Sequence, residues 1–246
     1  MLRRHRKNSQ VPIVAVVGYT NAGKTTLIRS LTGDTSLQPR NHLFATLDVT
    51  VHCGHLASSA QPVYYIDTVG FLSNLPISLI ASFQSTLEDI FMADLLVHIK
   101  DASHPDIRAQ SDNVLETLRT LNPDPRLLES MINVANKVDL LPEDSVIAEE
   151  NLPISATRGN GLSQLNLEIE RRIMAHTGLT VHQFRIPNGQ EAYRWLVSNS
   201  GIKSAIACPE DPNFLLVTSV MNTANLGRFR SHFPRWCEGD TLQINP

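Results

Sequence analysis

A mostly parallel α/β sheet with helices on both faces, followed by a small α+β domain, is the fold this sequence predicts. Three observations carry it. The apolar, β-branched run at 11–17 is the kind of strand that is buried on both faces of a parallel sheet. Strand-like and helix-like segments then alternate as far as residue 176, as crossover units require. After Gly178 the order becomes strand, helix, strand, strand, helix within about 65 residues, too few to extend the main sheet.

The strand at 11–17 runs into a glycine-rich turn and then a short helix, 24–31, which Gly33 ends. Residues 32–44 are polar and lack periodicity, which predicts a loop. Segments 46–56 and 62–66 flank the small residues 57–61 and read as an antiparallel hairpin. A helix (79–91), a strand (95–100), a helix (107–121), two strands (131–135 and 152–155) and a helix (162–176) follow, with Pro123, Pro125 and Pro142 punctuating the connections. The last part holds strands 181–186, 202–208 and 214–220 and helices 189–198 and 223–233. This divides the chain into a basic arm (1–10), a main domain (11–178) and a small domain (179–246).

With 246 residues, 42% of them hydrophobic and 18% charged, the chain is globular rather than disordered. Its longest apolar run, starting at Val11, falls well short of the roughly 18 residues of a membrane span, so no membrane partner is expected. Cys53, Cys208 and Cys237 are scattered and form no CxxC, which favours a reducing compartment over a disulfide framework or a zinc site. The nine histidines have no ligand spacing, and no metal beyond Mg²⁺ is implied. Residues 1–10 carry four basic groups and no acid, 11–179 carry 11 basic against 19 acidic, and 180–246 carry 6 against 5. The leading arm suits either a phosphate-rich partner or a solvated tail. It is also Arg-rich and acid-poor like the start of a mitochondrial presequence, but the first strand follows too soon for a cleavable segment.

The chemistry lies in the turns. GYTNAGKT at 18–25 fits GxxxxGKS/T between a predicted strand and a predicted helix. Its glycines let the N–H groups of Gly18, Tyr19, Thr20, Asn21, Ala22, Gly23 and, further on, Thr26 converge on phosphate at a helix N-terminus. Lys24 can reach the β- and γ-phosphates, and Thr25 can ligate Mg²⁺. DTVG follows at the end of the second hairpin strand. Asp67 is placed to hold Mg²⁺ through water, with Thr68 and Val69 leading to Gly70, which can move onto a γ-phosphate. NKVD comprises Asn136, Lys137, Val138 and Asp139; its carboxylate can accept both the N1–H and the 2-amino group of guanine, donors that adenine lacks. Ser155 and Ala156 end a further strand, where a backbone N–H could meet the guanine O6. The nucleotide pair expected is therefore GTP and GDP.

A threonine between Lys24 and Asp67 must close on Mg²⁺ and the γ-phosphate. Thr32, Thr35, Thr46 and Thr50 are candidates. Thr46 is preferred because it sits where the polar loop meets the sheet, within Phe44, Ala45, Thr46, Leu47 and Asp48. Asn21 occupies a position from which some GTPases hold K⁺ beside the phosphates; the competing reading is a loop asparagine that satisfies backbone groups. Where Ras-like GTPases follow DxxG with a water-orienting glutamine, this chain has Phe71. Intrinsic hydrolysis should therefore be slow. Trp195 and Trp236 are read as packing residues rather than base-stacking ones.

Taken together, GYTNAGKTTL, FATLD, DTVGF followed by LPxxLIxSFQSTLED, and NKVDL resemble the HflX family of translational GTPases, over about 11–246. The resemblance implies a P-loop GTPase fold and binding to the large ribosomal subunit and its rRNA, with roles in ribosome splitting, recycling or assembly. It implies a mitochondrial location for an animal member and a cytoplasmic one otherwise. The family carries an N-terminal domain and a basic helical linker before its GTPase domain; here MLRRHRKNSQ stands in that place. Two other functions compete: a weakly hydrolysing, GTP-gated docking module, and a tRNA- or RNA-processing GTPase, although no KH-type GXXG loop is found.

Overall fold

The computed structural model describes residues 11–37, 50–68, 70, 90–120, 122–142, 144–189 and 191–236. The chain forms two compact units. The first comprises Met1–Gly54 and Val63–Ile169, the second His55–Pro62 and Glu170–Pro246.

In the first unit, β1 (Ile13–Val17) is buried at every position, as its unbroken β-branched sequence demands. Next come α1 (Lys24–Thr32), β2 (Thr50–His55), β3 (Pro62–Asp67), β4 (Leu95–Asp101), α2 (Ile107–Thr120), α3 (Pro125–Glu129), β5 (Ile132–Asn136), β6 (Leu152–Pro153) and α4 (Leu162–Thr177). The six strands are ordered β2-β3-β1-β4-β5-β6. β1 is parallel to both β3 and β4, and β4–β5 and β5–β6 are parallel pairs. On one face, Ile13, Ala15 and Val17 pack with Leu96, Val114, Leu118 and Leu127; on the other, Val14 and Val16 are equally inaccessible. Helices on both faces leave the strand ends as the exposed working edge. Because the strands are parallel, GYTNAGKT, DTVG and NKVD all emerge at the carboxyl edge.

Two features differ from the sequence-based reading. The prolines at 123 and 125 do more than interrupt. Asp124 caps α3 by accepting from Arg126 N at 2.9 Å, and Pro125 takes the first helical position, where its missing N–H costs nothing. The strand expected over 152–155 is reduced to Leu152–Pro153; the Ile154 N–H still reaches Ala135 O at 2.8 Å, and Ser155 then turns its N–H to Asn160 O at 3.0 Å. The helix expected over 79–91 falls almost wholly outside the described residues.

The second unit holds β7 (Thr180–Pro187), α5 (Glu191–Asn199), β8 (Gly201–Ala207), β9 (Phe214–Met221) and α6 (Thr223–His232), the predicted element order. Its sheet is antiparallel, ordered β7-β9-β8. Phe184, Ile186 and Val217 pack from the sheet onto Leu196, Leu226 and Phe229 of the helices. The half-buried Trp195 joins this cluster, its ring centroid 5.5 Å from that of Phe229, which is the packing role expected of it. In the same unit, buried Glu170 accepts the Ser58 N–H at 2.8 Å.

Candidate functional site

Gly18 lies against the Ile99 carbonyl of β4, where a Cβ would collide with the oxygen. The turn beyond it needs two residues in the left-handed region, Asn21 with φ 61° and Gly23 with φ 102°. Asparagine is among the few side chains that tolerate this conformation. A Cβ on Gly23 would also meet the Asn136 amide nitrogen. Gly23 precedes α1 and makes no side-chain cap, so the first N–H groups of the helix remain available to an anion.

Lys24 opens α1 and is buried. Its Nζ donates to Gly18 O at 3.1 Å and Tyr19 O at 3.0 Å. Burial pulls its pKa down to about 8, with Asp67 acting in the opposite direction. The Thr25 hydroxyl donates to Asp67 Oδ2 at 2.5 Å. Asp67 ends β3 opposite Val16 of β1, so strand pairing brings these groups together. A hydroxyl and a carboxylate are both hard oxygen ligands of the kind Mg²⁺ takes. Thr68 points inward, donating to Val16 O at 2.7 Å. Gly70 lies against Thr20, and a Cβ there would fall 2.5 Å from Thr20 Cγ2. Ala22 is buried, Tyr19 packs against the core, and Thr20 and Thr26 are half-buried.

Asn136 ends β5, is buried, and ties two turns together: its Nδ2 donates to Ala22 O at 2.9 Å and its Oδ1 accepts from Ala156 N at 3.0 Å. Lys137 is left-handed, with φ 66°, and its Nζ pairs with Asp101 Oδ2 at 2.6 Å. Val138 begins a single 3-10 turn that brings Asp139 round beside Ser155. The Ser155 hydroxyl and, less strongly, the Arg158 guanidinium hold the Asp139 carboxyl below the usual carboxylate range. Arg158 Nε lies 3.4 Å from Asp139 Oδ2. Ser30 of α1 donates to Ala156 O at 2.7 Å.

The structure therefore gathers Gly18 to Thr26, Asp67, Thr68, Gly70, Asn136 to Asp139, Ser155 and Ala156 at one edge of the sheet. It alters one detail. The N–H groups of Ser155 and Ala156, expected to face a guanine O6, donate within the protein to Asn160 O and Asn136 Oδ1. Contact with O6 would require the Ala156 N–H to be shared between two acceptors. Phe44, Ala45, Thr46, Leu47, Asp48, Val69, Phe71 and the stretch 75–89 lie outside the described residues. Of the competing threonines, Thr32 donates to Ile28 O near the far end of α1, and the Thr50 hydroxyl lies 2.9 Å from the His52 ring.

Three participants escaped the sequence reading: Asp101, which holds Lys137; Arg158, beside Asp139; and Ser30, which ties α1 to Ala156. Asp101 had one signal, an acid at the carboxyl end of a buried strand.

A family model described as "50S ribosome-binding GTPase" matches residues 13–137, the stretch that holds the GYTNAGKT turn, Asp67, Gly70 and Asn136. The chain belongs to that family, as an HflX-type GTPase. It is 44% identical over 234 residues to the human protein named "Putative GTP-binding protein 6", a match that covers 95% of this chain and 45% of that one. It is 41% identical to a chloroplastic GTP-binding protein of Arabidopsis thaliana, covering 84% of this chain and 32% of that one. With GTPase HflX of Caldanaerobacter subterraneus the identity is 39%, over 79% of this chain and 44% of the other. The chain thus spans less than half the length of these relatives. A crystal structure of a GTP-binding protein from Sulfolobus solfataricus in complex with GDP shares the fold, with a TM-score of 0.52 and 21% identity, covering 71% of this chain and 56% of that one. Among the described residues no helix is long and apolar enough to cross a membrane.

Proposed function

We propose that this chain hydrolyses GTP to GDP and inorganic phosphate with Mg²⁺, slowly when alone and faster on the large ribosomal subunit, in ribosome recycling or assembly. The observation that carries the reading is the 2.5 Å contact between Thr25 Oγ1 and Asp67 Oδ2 at the start of α1, beside buried Lys24. Thr25 and Asp67 would hold the Mg²⁺, with Thr46 completing the set. When bound, the ion offsets phosphate charge as the bond from the β,γ-bridging oxygen to the γ-phosphorus breaks. Lys24 would exchange the carbonyls of Gly18 and Tyr19 for the β- and γ-phosphate oxygens, and the Gly70 N–H would meet the γ-phosphate. Asp139, already ionised, would take both donors of the guanine edge.

Phe71 has no group to orient the attacking water, so backbone, a cation or a partner must do so. Asn21 supports a K⁺ in that role: its side chain makes no hydrogen bond among the described residues, which weakens the competing structural reading. In this proposal nucleotide chemistry occupies 11–178, and the arm 1–10 and the domain 179–246 serve docking.

Multiple-turnover phosphate release, measured with and without isolated large subunits, tests the reading. Stimulation of about tenfold or more is expected, within the range partner-supplied groups provide. A fast free protein indifferent to subunits would sink it.

A further inference from the structure

Among the described residues, the second unit carries basic side chains near its end that no acid pairs with. Arg228 and Arg230 are exposed on α6, and Arg235 is exposed in the 3-10 turn that follows, Pro234–Trp236. Arg228 and His232 stand one helical turn apart on the same face. Between Asp211 and Glu238 the sequence has three arginines, His232 and no acid. Among the described residues none of the three arginines has an ion-pair partner. Three of the four described acids of the unit are engaged elsewhere: Glu170 accepts Ser58 N–H, Glu210 faces Arg185 at 3.7 Å, and Asp211 accepts Asn213 N–H.

α6 is anchored by Leu226 and Phe229, buried in the cluster of Phe184 and Leu196, with Arg228 and Arg230 on the two flanks of the helix. The arginines are therefore displayed on a fixed support, in a chain whose residues 11–179 are strongly acidic. Outside the nucleotide site, backbone phosphate would be attracted here rather than to the acidic stretch.

We propose that α6 and the turn after it form an RNA-binding face, with Arg228, Arg230 and Arg235 on the phosphate backbone. The choice of ribosomal RNA as its source rests on the ribosome-bound reading above. RNA fits better than an acidic protein. A protein interface needs a buried aromatic or apolar anchor at its centre, whereas Phe229 is enclosed and Trp195 packs into the same cluster. Backbone phosphates ask only for exposed cations in register.

The test is a titration of labelled duplex RNA with the full chain, over salt from about 50 to about 200 mM. In Arg228→Gln/Arg230→Gln/Arg235→Gln, affinity should fall about tenfold or more. The slope of log affinity against log salt should flatten by about 2–3, near 0.9 per lost phosphate contact. The triple lysine variant should keep most of the binding. Arg108→Gln/Arg119→Gln on α2, a charge loss elsewhere, should change little. GTP binding, which must match the wild type, shows that each variant is folded. Equal losses from both glutamine sets, or loss of polyaspartate binding with RNA binding intact, would overturn the inference. So would large-subunit co-sedimentation that the triple glutamine variant leaves unchanged, in which case the ribosome reading would stand. Duplex RNA bound through these arginines by a chain that ignores ribosomal subunits would support the face and remove the ribosome reading.

Discussion

The Asn136 amide donates to the Ala22 carbonyl at 2.9 Å across 114 positions of sequence, so the NKVD turn and the GYTNAGKT turn share one side chain. With its other end on Ala156 N, Asn136 fixes three turns at once. Asn136→Ala would leave a buried carbonyl and a buried N–H without partners. A loss of about 2–4 kcal/mol in stability is expected, with GTP affinity down at least about tenfold. Thermal unfolding and nucleotide titration check the pair; wild-type affinity would contradict the bracing role.

In the proposed reading Asp139 selects the base. Asp139→Asn should weaken GTP and favour xanthosine triphosphate, because an amide presents donors where guanine also presents donors. Competition binding of the two nucleotides reads this directly. Undiminished GTP binding would show that another group reads the base.

Asp101 is expected to matter through Lys137. Removing its carboxylate in Asp101→Ala frees the Lys137 ammonium and also the Ser103 N–H, which Asp101 accepts at 3.0 Å. The left-handed Lys137 backbone then loses the contact that offsets its strain. Nucleotide affinity should fall several-fold, with about 1–3 kcal/mol of stability lost. Off-rates by stopped flow would detect it.

His98 should set acid sensitivity. It is buried in β4, and burial, with Lys100 nearby, lowers its pKa to about 3. The unfolded chain takes up this proton near pH 6.5 while the folded protein does not. Stability is therefore intact above pH 6.5 and falls by about 1.4 kcal/mol per unit as pH drops towards 3. Denaturant unfolding at pH 6.5 and pH 4.5 should show a shallower fall in His98→Phe than in the wild type. Parallel curves would assign the acid loss elsewhere.

Hydrolysis should depend on the monovalent cation if Asn21 holds one. Rates in KCl should exceed those in NaCl at matched ionic strength, and Asn21→Ala should abolish the difference. Equal rates for the wild type would leave Asn21 a turn residue only.

The sheet and the nucleotide motifs were readable because each rests on local chemistry. A β-branched run needs burial on two faces, and glycines mark places where backbone must meet backbone or phosphate. Gly18 against the Ile99 carbonyl fits that logic, whereas Gly23 makes room for the Asn136 side-chain amide. Asp101 and Ser30 were not readable, since an acid or a serine acquires its role only from what the fold sets opposite it. The prolines misled for another reason. Pro125 stops a helix in its interior but starts one at its first position, and only the Asp124 cap tells the two apart. Asn136 is counted by the sequence in the guanine-binding set, and the structure gives its side chain two backbone partners in neighbouring turns, Ala22 O and Ala156 N.

The compact units are interleaved along the chain, which passes from one to the other after Gly54, returns after Pro62 and leaves again after Ile169. The turn 55–62 belongs with the C-terminal sheet although both its flanking strands belong to the nucleotide-binding sheet. A single cut in the chain therefore cannot separate the two units, because it would leave the turn with the other one. Ser58 and Glu170, hydrogen-bonded yet 112 positions apart, must be inherited together. A change in the length of the β2–β3 turn would therefore have to be matched by a change in α4, and exchange of C-terminal domains between relatives should succeed only when this short turn travels with them.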